Sequence, residues 1–126
     1  MATNATAPKN VPQNPQDLEQ KLSDFQNLQR QLQMLSMQRQ QVAMQLDEIK
    51  MAEEEMAKSK GALFRAVGSL ILESSREDIK THLKERKETL DMRASVTSKQ
   101  EEKVRKQLTD LRSELEEAAK MAAPAQ

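Results

Sequence analysis

The sequence predicts a mainly α fold, a long antiparallel two-helix coiled coil linked by one β-hairpin that oligomerises into a β-barrel. Three observations lead there. Only 37% of the 126 residues are hydrophobic and 2% aromatic, against 32% charged, so a layered globular core has little to fill it. The abundant residues are instead good helix formers such as Leu, Met, Gln, Glu, Lys and Ala. Two stretches free of Pro and Gly carry apolar residues at alternating steps of three and four, and between them lies a short segment of different pattern, ALFRAVGSLIL.

Residues 1–14 are rich in Pro, Asn, Ala and Thr, and Pro8 and Pro12 deny a regular helix, so a disordered tail is expected. Asn14 at an N-cap and Pro15 at the first helical position, with Asp17 and Glu19 near the positive end of the dipole, predict a helix over 15–60. Its seam runs Phe25, Leu28, Leu32, Leu35, Val42, Leu46, Ile49 and Met56. With Phe25 at position a, the polar exceptions are Arg39 and Glu53, both at a. Cations at Lys58 and Lys60, and Gly61 free to take the left-handed capping conformation, predict the stop.

Over 62–73 two short apolar runs flank Val67, Gly68 and Ser69, and Gly68 can take the positive φ of a tight turn, which predicts a β-hairpin. Ser74 and Ser75 each stand three residues ahead of an acid, giving two overlapping capping boxes for a second helix over 75–121. That helix has its seam at Leu83, Lys87, Leu90, Ala94, Thr97, Glu101, Val104, Leu108, Leu111, Leu115 and Ala118. Residues 122–126, with Pro124, are expected to fray.

Folding the helices back on each other about Gly68 pairs every a position with a d position: Phe25 with Leu111, Leu28 with Leu108, Leu32 with Val104, Val42 with Ala94, Leu46 with Leu90. Arg39 then faces Thr97 about one turn from Glu101, and Glu53 faces Leu83 about one turn from Lys87, opposite charges that would fix register more than stabilise. About 40 residues per helix, rising ~1.5 Å each, make an arm on the order of 60 Å. At its base Leu63, Phe64, Val67, Leu70, Ile71 and Leu72 sit with Gly68 on a hairpin that has unpaired edges and no helix to cover it. A lone hairpin is marginal in water, so these residues are the expected oligomerisation surface, with hairpins of several chains completing a sheet or barrel.

Several function classes fall away. Twenty basic residues balance twenty acidic ones, mixed along both halves, and aromatic stacking platforms are nearly absent, so no nucleic-acid partner is expected. Without Cys, and with His82 as the single His, neither a disulfide framework nor a metal site is expected. No phosphate-binding loop, no cofactor motif and no enclosed pocket for an activated nucleophile point to an enzyme. The N-terminus lacks a secretory signal pattern and no apolar run reaches membrane-spanning length, so the expectation is a cytoplasmic protein that contacts no membrane.

The segment FRAVGSLIL at residues 64–72, the run FQNLQRQLQ at 25–33 and KERKETLDMR at 84–93, set in a helical hairpin with one β-hairpin, resemble the β-type subunit of prefoldin. The resemblance covers nearly the whole chain, and the single linking hairpin matches the β type where α-type subunits have two. It implies a hexamer of two α-type and four β-type subunits, with hairpins in β-barrels and coiled coils hanging as tentacles. It also implies an ATP-independent holdase that binds unfolded polypeptides at the tentacle tips and delivers them to a group II chaperonin. The alternative function is a structural tether or spacer within another assembly, with no client binding; an exposed apolar hairpin is a feature a simple spacer does not need.

At the distal end the layers gather Leu18, Leu22, Phe25, Leu111, Leu115 and Met121, with Leu22 off the seam, as the candidate client-binding tip. Ordinary coiled-coil core with scattered surface apolars is the competing explanation. Met37, Met44 and Met51 recur every seven residues at position f, opposite the seam. Flexible thioethers there suit varied clients, but contact with a neighbouring arm or simple exposure accounts for them more readily, since Met is also a good helix former.

Overall fold

The computed structural model describes residues 11–122. Most of the predicted tail (1–14) and nearly all of the predicted frayed end (122–126) lie outside the described residues. Helix α1 runs Pro15–Lys58, strands β1 and β2 run Leu63–Val67 and Leu70–Ser74, and helix α2 runs Arg76–Ala122. The chain divides into two units: Met1–Ser36 with Lys99–Gln126, and Met37–Ser98.

Helix α1 starts as its sequence dictates. The Asn14 side-chain oxygen accepts a hydrogen bond from the Asp17 N–H at 2.7 Å, and the Asn14 carbonyl accepts from the Leu18 N–H at 3.0 Å. Asp17 reaches back in turn to accept from the Gln13 N–H at 3.3 Å. One of the donors orphaned at a helix start, the Asp17 N–H, is thereby satisfied, and Pro15 has no N–H to orphan.

The other end of α1 departs from expectation. The helix stops at Lys58 and Gly61 does not take the left-handed conformation; the positive φ belongs to Gly68. Arg76, the first residue of α2, supplies the cap. Its guanidinium donates to the Met56 carbonyl and, at 2.6 Å, to the Ser59 carbonyl. A charged fork on two terminal carbonyls satisfies orphaned acceptors and opposes the negative end of the dipole, so a glycine cap is not needed.

Burial follows the heptad. On α1 the d positions Leu35, Val42, Ile49 and Met56 are buried, while Phe25, Leu32 and Leu46 at a are half-buried. On α2 Leu90, Thr97, Val104 and Leu111 are buried at steps of seven, and Glu101 joins them at 4% exposure. In the unit Met37–Ser98, Val42, Ile49 and Leu90 form the core, with Leu46, Leu83 and Ala94 packed on it. In the other unit Leu28 and Leu111 line one groove, and Lys21 bonds Glu114 across the pair at 3.2 Å.

One expected seam contact is absent. Glu53 and Lys87 are both exposed, and no ion pair joins them. Neighbouring Ile49 and Met56 fill the interior at this level, so two long charged side chains gain more by reaching water than by pairing in the seam. Glu101, by contrast, stays buried, with the Arg105 guanidinium 3.5 Å from its carboxylate one turn along the same helix.

Strands β1 and β2 pair antiparallel from Leu63 opposite Ser74 to Val67 opposite Leu70, leaving Gly68 and Ser69 as a two-residue turn. Gly68 has φ of 60°, and a Cβ added there would meet nothing, so the requirement for glycine lies in the backbone and not in space. Of the two possible capping boxes, Ser75 is used: its hydroxyl accepts from the Asp78 N–H at 3.1 Å, while Ser74 is taken up by the strand.

Leu90→Ala removes one of the two most buried apolar side chains and should lower stability by about 2–4 kcal/mol, whereas Met44→Ala on the outer face should stay within about 0.5 kcal/mol. Urea unfolding at fixed protomer concentration measures both. By the same measurement Arg76→Ala, which strips two helix-end carbonyls of a charged donor, should cost about 1–3 kcal/mol.

Candidate functional site

The hairpin is apolar on both faces. Because side chains alternate along a strand, Leu63, Arg65 and Val67 share one face with Leu70, Leu72 and Ser74, while Phe64 and Ala66 share the other with Ile71 and Glu73. A two-stranded sheet can cover neither face itself. Phe64 is 60% exposed, Leu70 61%, Ile71 74% and Leu72 50%; Val67 is exposed as well, and only Leu63 is half-buried. Every residue expected at the oligomerisation surface thus sits on one small hairpin.

The uncovered strands adjoin an open groove of about 630 Å³ within the unit Met37–Ser98. Ile49 and Met56 of α1, Ile79 and Leu83 of α2, and Leu63 and Phe64 of β1 supply its apolar wall, with Glu48, Glu55, Arg65, His82 and Arg86 at polar positions. No residue of β2 lines it. Strand β1 therefore lies beside the chain's own helices, and β2 is the strand turned away from that groove.

Sequence reasoning missed this groove. Its signal was Ile79, an apolar residue off the heptad one turn before Leu83, just where α2 leaves the hairpin. Arg76 was missed for a related reason: a cap supplied from another element leaves no local spacing to read.

The residues expected at the distal tip are split by the structure. Leu111 is buried and Phe25 and Leu115 are half-buried, as seam residues should be, whereas Leu18, Leu22 and Met121 are exposed at 37%, 48% and 69%. A second groove, about 400 Å³, runs beside them between Asp24, Asn27 and Leu28 of α1 and Asp110, Leu111 and Glu114 of α2. Met37, Met44 and Met51 all lie exposed on the outer face of α1.

Among the described residues no cluster of His, Cys, Asp or Glu is arranged to hold a metal ion, and no helix is long and apolar enough to cross a membrane. The architecture is that of a subunit built on paired helices with one linking hairpin. Residues 19–122 match the family model described as Prefoldin subunit, and the chain belongs to that family, one of chaperone subunits and not of enzymes. Its fold matches the β type. The crystal structure of the prefoldin beta subunit from Thermococcus strain KS-1 aligns with a TM-score of 0.76 and 30% sequence identity, covering 92% of this chain and 99% of that one. No curated protein matches the sequence. Prefoldin subunits assemble into hetero-oligomers with other prefoldin subunits, and a hairpin that exposes apolar side chains on both faces suits such a subunit.

Ile71→Lys places a charge at the most exposed apolar position of the hairpin. The variant should keep its helicity by circular dichroism yet sediment as a smaller species than the wild type mixed with its partner subunits. An unchanged sedimentation coefficient would remove Ile71 from the assembly surface.

Proposed function

We propose that the chain is a β-type subunit of a cytoplasmic, ATP-independent holdase, a hexamer of two α-type and four β-type subunits. Its hairpin joins those of neighbouring subunits in a β-barrel, and the start of α1 and the end of α2 hold non-native polypeptides and deliver them to a group II chaperonin. The observation that carries this reading is the exposed hairpin, where Phe64, Leu70, Ile71 and Leu72 present apolar surface that one chain cannot bury. Association is the means by which such a surface leaves water, and it frees the helix pair to serve as an arm.

The arm's end supports the second half of the proposal. Leu18 and Leu22 lie on the first turns of α1 and Met121 near the end of α2, all exposed, so apolar contact is available without opening the seam. Such contact is non-directional and tolerates many sequences, as capture of unfolded chains requires. Phe25, Leu111 and Leu115 join the binding surface when the terminal turns fray.

Removing residues 1–24 together with 113–126 should leave the oligomer intact and abolish most suppression of aggregation of a chemically unfolded protein, read by light scattering. Full protection by the truncated oligomer would overturn the assignment of the tip. Adding a group II chaperonin and ATP to the loaded wild type should raise the yield of native client above that of either component alone, which tests delivery separately from capture.

A further inference from the structure

The outer face of α1 presents thioethers where a solvated helix ordinarily carries charge. Met37, Met44 and Met51 are 63%, 64% and 64% exposed, seven residues apart and therefore about 10 Å apart along one face. Between Arg30 and Asp47 the only charged residue of the sequence is Arg39, so little charge surrounds Met37 and Met44, whereas Met51 is flanked one turn away on either side by Asp47, Glu48, Glu54 and Glu55. Met56, on the same helix, is the opposite case: it is buried at 9% exposure in the seam. The fold thus divides the methionines of the unit Met37–Ser98 into reagent-accessible ones on the surface and one, Met56, buried in the seam.

We propose that Met37, Met44 and Met51 form an oxidation site for hydroperoxides that switches this face from apolar to polar while the fold stays intact. The sulfur lone pair attacks the distal peroxide oxygen, the O–O bond breaks, an S–O bond forms, and the other oxygen leaves with the proton as water from hydrogen peroxide or as an alcohol from an organic hydroperoxide. The sulfur is oxidised by two electrons and the peroxide reduced by two. The product sulfoxide is a strong hydrogen-bond acceptor, and methionine sulfoxide reductases reverse the change. On the outer face the added oxygen meets only water, so α1 keeps its backbone hydrogen bonds and its seam. At Met56 the same oxygen would enter a packed interface, and burial keeps the reagent away. The functional consequence, weaker capture through the face once it is polar, rests on the reading of this stripe as client-facing.

The test uses the full chain in its oligomer, treated with dilute hydrogen peroxide, beside the variant Met37→Leu, Met44→Leu, Met51→Leu, which keeps the face apolar without sulfur. Peptide mass mapping should find Met37, Met44 and Met51 each gaining one oxygen at least about tenfold faster than Met56, with helicity unchanged. Capture of a chemically unfolded protein should then fall in the oxidised wild type and not in the treated Leu variant. Oxidation of Met56 at a similar rate, loss of helicity during oxidation, or an equal fall in capture in both proteins would each overturn the proposal; the last would move the effect to Met34, Met92 or Met121. A separate variant, Met37→Gln, Met44→Gln, Met51→Gln, tests the underlying reading. Full capture by it would remove the client-facing stripe and the switch together, whereas weak capture with unselective oxidation of the wild type would remove the switch alone.

Discussion

The two-helix seam is the interaction on which everything else depends. Each helix can bury one stripe against the other, and in the unit Met37–Ser98 that stripe is Val42, Ile49 and Leu90 with Leu46, Leu83 and Ala94 around them. A third element would have widened the core. None is present between the hairpin's two faces and water among the described residues, so apolar character is divided between a seam satisfied within the chain and a hairpin that is not. Division of labour between folding and assembly follows from that geometry, not from any special chemistry of single residues.

The junction between helices and hairpin is where the structure adds most to the pattern. Arg76 ties the start of α2 to the last carbonyls of α1, so the two helix ends and the hairpin roots are fixed together by one side chain. Gly68 closes the far end of the hairpin with a backbone conformation that other residues adopt at a cost of about 1–2 kcal/mol. Between these two points the strands hold a continuous register without a bulge. Both devices constrain direction, and they determine where Phe64 and Ile71 are presented.

Periodic features were legible in the sequence, and features made by distant residues were not. The heptad placed Leu35, Val42, Ile49, Met56, Leu90, Val104 and Leu111 on the inner stripe because a 3.5-residue repeat has one geometric meaning. Asn14 and Ser75 were readable as caps because a side chain bonding a backbone three residues away leaves its signature at that spacing. The Gly61 cap was misread: a guanidinium from a residue beyond the hairpin competes for the same carbonyls, and no local window contains both. Glu53 was misread for a different reason, since a heptad position states only which way a side chain starts, and a long one can turn outward. For the candidate tip, burial separates Leu111 from Leu18, Leu22 and Met121, a distinction that apolar identity alone does not make.

No side chain among the described residues is completely enclosed. Hydration of apolar surface sets the heat-capacity increment of unfolding, ordinarily about 12–15 cal/mol/K per residue in globular proteins. A solitary protomer with so shallow an interior melts with a smaller increment and a flatter free-energy curve against temperature. Any apolar area that the hairpin loses to water on association adds to that increment, and dilution takes the addition away.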